Sequence, residues 1–531
     1  MRKSRRDSQR DSHSAASAIE IRQAAFTYMG AHAPIWENLC CTFAEGRINV
    51  VAGPSGCGKS TLLQAISGLV PHINEGTFKG QVLFRCDDIT AVEPRIRCRN
   101  IGYVMQDPES QFCTFTVEEE IAFGPENLGF ERDVIQASVE RILEEIGLSG
   151  FQRRNLSSLS GGQKQKVAIA SALVTEPEVL LLDEPTANLD PRSRREVLHA
   201  IVKLSKARGI TVIMVEHNLE DIIEEVDSIV VLDSWGNVAA HGSREAVIEQ
   251  LEDARYEMLR TYLPPSIWGI EDIRSIWKPA ELNPSGETAL CLKDVMFAYA
   301  QNKGLKKRTY GSPVLNGITL QVRQDDFIAV VGSNGVGKST LFNVIFRLHE
   351  PQSGCIELMG RDMRDMSDRE IYRIMGLVFQ NPELQFVTNQ VDEELMASLK
   401  DEDIPESLKR KRVNDMLERY GLVNFAHESP FILSQGQKRR LSVATMLLTN
   451  QKLLFLDEPT YGQDQQNRIE LMDELVRLNR NGTAIAMITH DLALIKRYAK
   501  RVLSIDGGDI AFDGSAEDYA AFLQHEEMGR V

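Results

Sequence analysis

Short, mostly apolar runs recur along this chain, and segments of helical periodicity lie between them. The runs cover residues 48–52, 179–182, 211–215 and 229–232 in the first half, and 327–331, 452–456 and 484–488 in the second. Runs of four or five apolar residues that alternate with helices are typical of buried parallel strands. The pattern therefore predicts an α/β fold in each half, with a mainly parallel sheet.

The two halves repeat each other, which indicates an internal duplication. Three polar residues of the first half recur 274 positions further on, namely Gln106, Ser160 and Asp183 as Gln380, Ser434 and Asp457. We predict a basic, Ser-rich tail at 1–17, a first domain at 18–262, a linker at 263–288, a second domain at 289–526 and a short tail at 527–531. The linker is Pro-rich and contains Trp268 and Trp277 as candidates for packing. The polar insertion 301–312 in the second domain is expected to be a surface loop.

Composition and charge narrow the possible functions. A chain of 531 residues with 43% apolar residues is long enough for at least two domains with full cores. No apolar run approaches the roughly 18 residues of a membrane-spanning helix, so we expect any membrane role to depend on a partner. The net charge of −16 argues against a nucleic-acid partner. The 8 cysteines contain no C-x-x-C pair and we find no secretory signal, which favours the cytosol.

Two P-loop sequences fit the pattern G-x-x-x-x-G-K-S/T. Each follows an apolar run and precedes a helical pattern, which is the context that a phosphate-binding loop requires. Its backbone N–H groups cradle phosphates, its lysine reaches the terminal phosphates, and its serine can bind Mg²⁺. The predicted binding residues are Gly53, Pro54, Ser55, Gly56, Cys57, Gly58, Lys59, Ser60 and Thr61, and Gly332, Ser333, Asn334, Gly335, Val336, Gly337, Lys338, Ser339 and Thr340. Cys57 is interpreted as a tolerated small side chain, with a redox switch as the alternative.

Two further motifs follow each P-loop. Asp183-Glu184 and Asp457-Glu458 each end an apolar run, where α/β folds place ligand groups, although an acidic pair at a strand end could also be purely structural. The aspartate can hold Mg²⁺ and the glutamate can orient or deprotonate a water molecule. L-S-x-G-Q sequences at 159–163 and 433–437 open helices, and each is either an anion site or a simple helix cap.

The order P-loop, glutamine, L-S-x-G-Q, Asp-Glu and histidine resembles that of the ATP-binding cassette (ABC) ATPases over residues 18–262 and 289–526. The resemblance implies two tandem P-loop NTPase domains, each with a mainly parallel sheet and a helical subdomain. These would pair head to tail around two sites that bind ATP and Mg²⁺. Site one would combine Lys59, Ser60, Thr61, Gln106, Asp183, Glu184 and His217 with Ser434, Gln435 and Gly436. Site two would combine Lys338, Ser339, Thr340, Gln380, Asp457, Glu458 and His490 with Ser160, Gly161 and Gly162.

The same resemblance assigns roles within these sites. Ser60, Gln106 and Asp183, with Ser339, Gln380 and Asp457, would surround Mg²⁺, and the glutamates, histidines and loop glutamines would be catalytic. Tyr28 and Tyr299 match the residue that stacks on adenine, although an aromatic there could equally be core. Gln435 stands where the family has glycine and Tyr461 begins an unusual loop, so we predict modest asymmetry, with site one the slower.

The pattern Q-D/N-P-E-x-Q-F at 106–112 and 380–386 is similar to that of energy-coupling factor (ECF) transporter ATPases. These drive uptake of vitamin-like micronutrients or metal ions through a membrane T component and a substrate-binding S component, and some with fused domains serve thiamine-precursor uptake. The resemblance places the chain on the cytoplasmic face of a bacterial-type membrane. Acidic residues at 118–120 and 392–394 could complement a basic partner helix, or simply favour a helix start. The alternatives are a sugar-type ABC importer ATPase and a soluble ABC-F-like ribosome factor.

Overall fold

The computed structural model describes residues 17–31, 33–187, 189–216, 219–268, 286–302, 308–400, 402–433, 435–449, 451–460 and 465–528. The chain forms two compact units, Met1–Asp272 and Ile273–Val531. The units repeat one architecture, in which an antiparallel sheet and a mainly parallel sheet combine with helices. None of the helices in the described part of the chain is long and apolar enough to cross a membrane.

The strands of the first unit form two sheets. They are β1 Ser17–Tyr28, β2 Trp36–Ala44, β3 Ile48–Ala52, β4 Gly76–Phe84, β5 Asp87–Asp88, β6 Ile101–Val104, β7 Val179–Asp183, β8 Thr211–Val215, β9 Ser228–Leu232 and β10 Val238–Gly242. The antiparallel sheet has the order β2-β1-β4-β5, and the second sheet has the order β10-β9-β3-β8-β7-β6. Its strands are parallel except β10, which is antiparallel to β9.

The helices of the first unit lie between these strands or after them. They are α1 Lys59–Ser67, α2 Leu69–His72, α3 Pro94–Arg97, α4 Pro108–Gln111, α5 Val117–Asn127, α6 Arg132–Glu145, α7 Gly161–Leu173, α8 Pro191–Arg208, α9 Arg244–Leu251 and α10 Glu257–Arg260. Short 3₁₀ turns occupy Leu156–Ser158, Ile223–Glu225, Ala254–Tyr256 and Pro265–Trp268.

The second unit repeats the arrangement. Its strands are β11 Thr288–Phe297, β12 Ala300–Asn302, β13 Arg308–Tyr310, β14 Leu315–Arg323, β15 Phe327–Val331, β16 Ser353–Leu358, β17 Arg361–Asp362, β18 Met375–Val378, β19 Leu453–Asp457, β20 Ala484–Ile488, β21 Arg501–Asp506 and β22 Asp509–Gly514. Its helices are α11 Lys338–Ile345, α12 Asp368–Ile374, α13 Val391–Ser398, α14 Glu406–Arg419, α15 Gln435–Leu447, α16 Gln465–Arg480, α17 Leu492–Tyr498 and α18 Ala516–Met528. Short 3₁₀ turns lie at Met363–Asp365, Pro382–Leu384, Val423–Phe425 and Pro430–Ile432.

The parallel strands confirm the seven apolar runs as strands. All residues of β3, β7 and β8 are buried, as expected of strands covered on both faces. Ile48 pairs with Val212, and Val179 pairs with Thr211, so the three strands run in the same direction and end at the same edge of the sheet. The P-loop and the strand-end acids therefore meet at this edge.

Helix ends follow local sequence rules, and these fix where α8 begins and ends. The Asp190 side chain accepts from the backbone N–H groups of Arg192 and Ser193, and Pro191 occupies the first helical position. Gly209 ends the helix at φ 65°, a left-handed conformation that glycine adopts without a steric penalty.

Two predicted connections differ from simple loops. The insertion at 301–312 is wrong as a plain loop, because β12 and β13 pair antiparallel at its ends, and 303–307 lie outside the described residues. Leu263 and Ile267, at the start of the predicted linker, are buried in the core of the first unit, and Trp268 packs against that core. Trp277 lies outside the described residues.

Candidate active site

The first P-loop connects β3 to α1 and depends on glycine. Gly53, Gly56 and Gly58 have φ of 142°, 83° and 94°, where L side chains are strained. A Cβ on Gly58 would lie 2.1 Å from Trp36 Nε1, so the position has no room for a side chain. Pro54, Ser55 and Cys57 lie between these glycines. The loop ends where α1 begins, and the backbone N–H groups at a helix start suit an anion.

The P-loop lysines are held in the same way in both units. Lys59 is buried, and its Nζ donates to the carbonyl oxygens of Gly53 at 2.8 Å and Pro54 at 2.7 Å. Lys338 Nζ donates to the carbonyls of Gly332 at 2.8 Å and Ser333 at 2.9 Å. In the second loop, Gly332, Gly335 and Gly337 have φ of 141°, 83° and 107°, with Asn334 and Val336 between them. Each ammonium group is therefore fixed against its own loop.

Asp183, the last residue of β7, lies beside the P-loop serine. Ser60 Oγ donates to Asp183 Oδ1 at 2.8 Å, and Tyr103 donates its hydroxyl to Oδ2 at 3.2 Å. Burial raises the pKa of Asp183 to about 6, and the neighbouring Glu184 also raises it, against the lowering effects of Ser60, Tyr103 and Lys59. A serine hydroxyl beside a carboxylate is the all-oxygen donor set that Mg²⁺ prefers, so the residues present fit this ion.

Glu184 follows with an unusual backbone. Its φ is 45°, which is rare for a residue other than glycine, and its N–H donates to Val215 O at 2.9 Å. Gln106, which follows β6, donates through Nε2 to Glu184 Oε2 at 2.7 Å. The predicted glutamine and glutamate of site one are thus in direct contact. His217 lies outside the described residues, and Glu216 before it accepts from Thr186 Oγ1 at 2.6 Å.

The second unit brings together the equivalent residues and also its histidine. Glu458 has φ of 49°, and Gln380 Nε2 donates to Glu458 Oε2 at 3.3 Å. His490 Nε2 lies 3.4 Å from Glu458 Oε1. Burial raises the pKa of Glu458, and the adjacent Asp457 raises it further. Burial also raises the pKa of Asp457, while a hydrogen bond with Ser339 and the charge of Lys338 lower it.

The two predicted adenine-stacking tyrosines lie against the helix after each P-loop. The Tyr28 and Thr61 hydroxyls are 2.9 Å apart, and the Tyr299 and Thr340 hydroxyls are 3.0 Å apart. Tyr299 also contacts the His349 ring edge-on at 5.4 Å. Tyr28 is half-buried and Tyr299 is 45% exposed, so neither is a fully buried core residue.

The first L-S-x-G-Q sequence opens α7 with a capping box. Ser160 Oγ accepts from the Gln163 N–H, and Gln163 Oε1 accepts from the Ser160 N–H at 3.1 Å. Gly161 is the first helical residue, and a Cβ on Gly162 would lie 3.0 Å from Ser193 Cβ. In the second unit, Gln435 and Gly436 open α15, while Ser434 and Tyr461 lie outside the described residues.

Not all of the acidic residues at the starts of α5 and α13 are available to bind a partner. Glu120 is 5% exposed, and its Oε2 accepts from the Cys113 and Thr114 N–H groups at 3.0 Å and from the Thr114 hydroxyl at 2.9 Å. Glu394 is 3% exposed and binds Val387 N, Thr388 N and the Thr388 hydroxyl at 2.8–2.9 Å. The expectation that these two acids complement a partner is wrong, because both hold the preceding loop.

The segment after each loop glutamine is also tied to the helix that L-S-x-G-Q opens. Glu109 pairs with Lys164 of α7, and Glu383 pairs with Lys438 of α15 at 2.5 Å. The glutamate of each sequence motif therefore ties its segment to this helix through an ion pair. We name residues 107–116 and 381–388 the docking segments.

Cys57 is 2% exposed, and burial raises the pKa of its thiol. A shielded, protonated thiol is a poor nucleophile, which disfavours the redox-switch alternative.

Two residues of the sites, Tyr103 and Arg439, were not predicted from the sequence. Tyr103 donates to Asp183, and its counterpart 274 positions on is Leu377. Arg439 lies on α15, and its charge lowers the pKa of Asp457 and Glu458. Both differ between the halves, so an alignment of the two halves would have drawn attention to them.

Comparison with known proteins adds independent information. A family model described as "ABC transporter" matches residues 36–187 and 315–461. The "Putative HMP/thiamine import ATP-binding protein YkoD" of Bacillus subtilis (strain 168) is 37% identical over 97% of this chain and 93% of that protein. A "Putative ABC transporter ATP-binding protein" of Methanosarcina mazei is 34% identical over 96% of this chain and 90% of that protein. The solved structure of cbiO1 from Clostridium perfringens, part of an ABC transporter complex, aligns at 30% identity over 44% of this chain and 92% of its own, with a TM-score of 0.38.

Proposed function

Because this chain belongs to the ABC transporter family, whose ATP-binding proteins are ATPases, we propose that it is the energy-coupling subunit of an ECF-type importer. The two P-loops bind the phosphates of ATP, and Lys59 and Lys338 neutralise their charge. Ser60 with Asp183, and Ser339 with Asp457, would hold Mg²⁺, which would supply charge stabilisation at the phosphates.

Glu184 and Glu458 orient the attacking water in this proposal, and the loop glutamines hold the glutamates in place. The contact of Gln106 with Glu184 and that of Gln380 with Glu458 support the assignment. His490 beside Glu458, and His217 by its sequence position, stabilise the terminal phosphate. The L-S-x-G-Q residues at the starts of α7 and α15 bind nucleotide phosphate in this proposal, as small residues at a helix start can.

The docking segments are the structural feature that supports a role in an importer. Each is anchored by a buried glutamate and an ion pair, yet each exposes apolar side chains to solvent. Phe115 is 79% exposed, Leu384 71% and Val387 79%. A rigid loop that displays apolar groups is suited to a partner helix, because binding then requires little ordering of the loop. The partner is a membrane T component, which places the chain at the cytoplasmic face of the membrane.

The docking segments also give the partner a route to the nucleotide. Asp107 directly follows Gln106, and Asn381 directly follows Gln380. A partner that moves a docking segment therefore moves a residue that contacts the catalytic glutamate. The glutamine contact can couple movement of the partner to ATP hydrolysis only if it differs between two nucleotide states of the chain.

The transported substrate is a vitamin-like micronutrient or a metal ion captured by an S component. Similarity to a relative named for HMP/thiamine import favours the vitamin-like class. The substrate is recognised by another polypeptide, so no residue of this chain is assigned to it.

The proposal is tested by partner capture. A tagged Glu184→Gln, Glu458→Gln chain is expressed in its host, membranes are solubilised with ATP and Mg²⁺, and co-purified proteins are identified by mass spectrometry. We expect a multi-helix membrane protein together with a small substrate-binding membrane protein. Recovery of ribosomes or of sugar-permease subunits instead would overturn the ECF-type assignment.

A second arm tests the docking segments. Phe115→Asp with Val387→Asp should abolish capture while ATP binding persists. Trp235→Asp is the matched control, because Trp235 is 80% exposed but lies outside both segments. Equal capture by the docking-segment variant and the control would show that the partner binds elsewhere.

A further inference from the structure

Arg439 is a buried cation that contacts the glutamine loop of the second unit. It lies on α15 and is 2% exposed. Its Nη1 donates to Phe379 O at 2.6 Å, and its Nη2 donates to Gln380 O. A buried guanidinium is costly unless acceptors satisfy it, so these two carbonyl contacts are a specific feature of the fold.

These contacts reach the hydrolytic glutamate through one residue. Arg439 binds the backbone of Gln380, whose side chain donates to Glu458 at 3.3 Å. The guanidinium charge also acts on Asp457 and Glu458 and favours their ionised forms. Arg439 can therefore fix the orientation of the glutamine.

The first unit has a different residue at this position. Gln165 lies 274 positions before Arg439 and is also 2% exposed. Its Nε2 has no hydrogen-bond partner among the residues that the structure describes. Gln106 nevertheless contacts Glu184 at the shorter distance of 2.7 Å, and Tyr103 supports Asp183. The halves thus use different side chains to support equivalent carboxylates.

We propose that Arg439 is a positioning residue of site two, which holds the glutamine loop so that Gln380 stays aimed at Glu458. In this role it acts on the loop glutamine, not on the phosphates. Its loss should therefore lower the rate of hydrolysis without weakening ATP binding. Gln165 has no such role in site one.

Matched substitutions test this difference. Arg439→Met keeps an unbranched apolar side chain and removes the guanidinium group. Gln165→Met replaces the amide side chain by an apolar one of similar length. In a chain that carries Glu184→Gln, the remaining turnover belongs to site two, and Arg439→Met should lower kcat about tenfold with KM for ATP unchanged. In a chain that carries Glu458→Gln, Gln165→Met should leave kcat and KM for ATP at the level of that parent.

Arg439→Lys distinguishes positioning from simple packing. Lysine keeps the charge but reaches fewer acceptors, so kcat should recover to within about threefold of the parent. If Arg439→Met does not fold, Arg439→Lys alone must show reduced kcat with unchanged KM and thermal midpoint. Full turnover in a folded Arg439→Met chain, an equal loss in Gln165→Met, or a loss confined to KM would overturn the proposal.

Discussion

Asp183 is a buried acid whose ionisation should destabilise the first unit in the absence of Mg²⁺ and nucleotide. It is 6% exposed, and burial raises its pKa from the usual 3.8 to about 6. The folded chain therefore keeps this proton to higher pH than the unfolded chain. The resulting stability is complete below pH 3.8 and is lost as the pH rises through about 6. Replacement by asparagine removes the titration and keeps an acceptor for Ser60.

The size of the effect follows from the two pKa values. The full loss corresponds to about 3 kcal/mol, at 1.36 kcal/mol per pKa unit. Part of this is already lost at pH 5, so the loss between pH 5 and pH 8 is about 1.4 kcal/mol. The stability of Asp183→Asn relative to the natural chain should rise by this amount across the interval. The lost Tyr103 hydrogen bond adds a cost that is the same at both pH values.

Urea unfolding in EDTA at pH 5 and pH 8 measures this difference. Trp36 is fully buried in the first unit, so its fluorescence reports the transition of that unit. Glu118→Gln, at an exposed carboxylate of α5, is the control for the replacement of an acid by its amide outside the core. An advantage of Asp183→Asn that stays constant or shrinks from pH 5 to pH 8 would refute the reasoning.

Three further predictions concern the sites themselves. Glu458→Gln should cost more ATP turnover than Glu184→Gln, because we expect site one to be the slower; equal losses would contradict this asymmetry. Gly58→Ala should weaken ATP affinity at site one by at least about tenfold in a binding titration, since its φ of 94° and its Cβ contact at 2.1 Å both forbid a side chain. Gly56→Ala, which meets no atom within 4 Å, should weaken it less. Cys57 should resist iodoacetamide in the native chain, as peptide mass spectrometry can show, and modification without denaturant would disprove its burial.

The sequence predicted the parts of the site that depend on backbone pattern. An apolar run that ends in a P-loop or an acid pair places those groups at the carboxyl edge of a parallel sheet, and β3 and β7 do so. The sequence could not predict which way the side chains at a helix start point. Glu118 and Glu120 both suit the N-terminus of α5, yet only the position of Glu120 turns it toward the preceding loop. Tertiary packing, which no local rule encodes, makes this distinction.

The duplication has kept some contacts and changed others, and the division follows chemistry. Both halves keep the lysine on the P-loop carbonyls, the glutamate with a left-handed backbone and the buried glutamate that holds the docking segment. These contacts support phosphate binding and the proposed partner-binding surface, and both halves have the same function there. The supports of the carboxylates have diverged. Tyr103 donates to Asp183 in the first half, where the second half has Leu377, and Arg439 contacts the glutamine loop of the second half, where the first half has Gln165. Differences between the sites should therefore appear in the rate of hydrolysis more than in the affinity for ATP, because the P-loop lysine and serine are matched and the groups that position the hydrolytic residues are not.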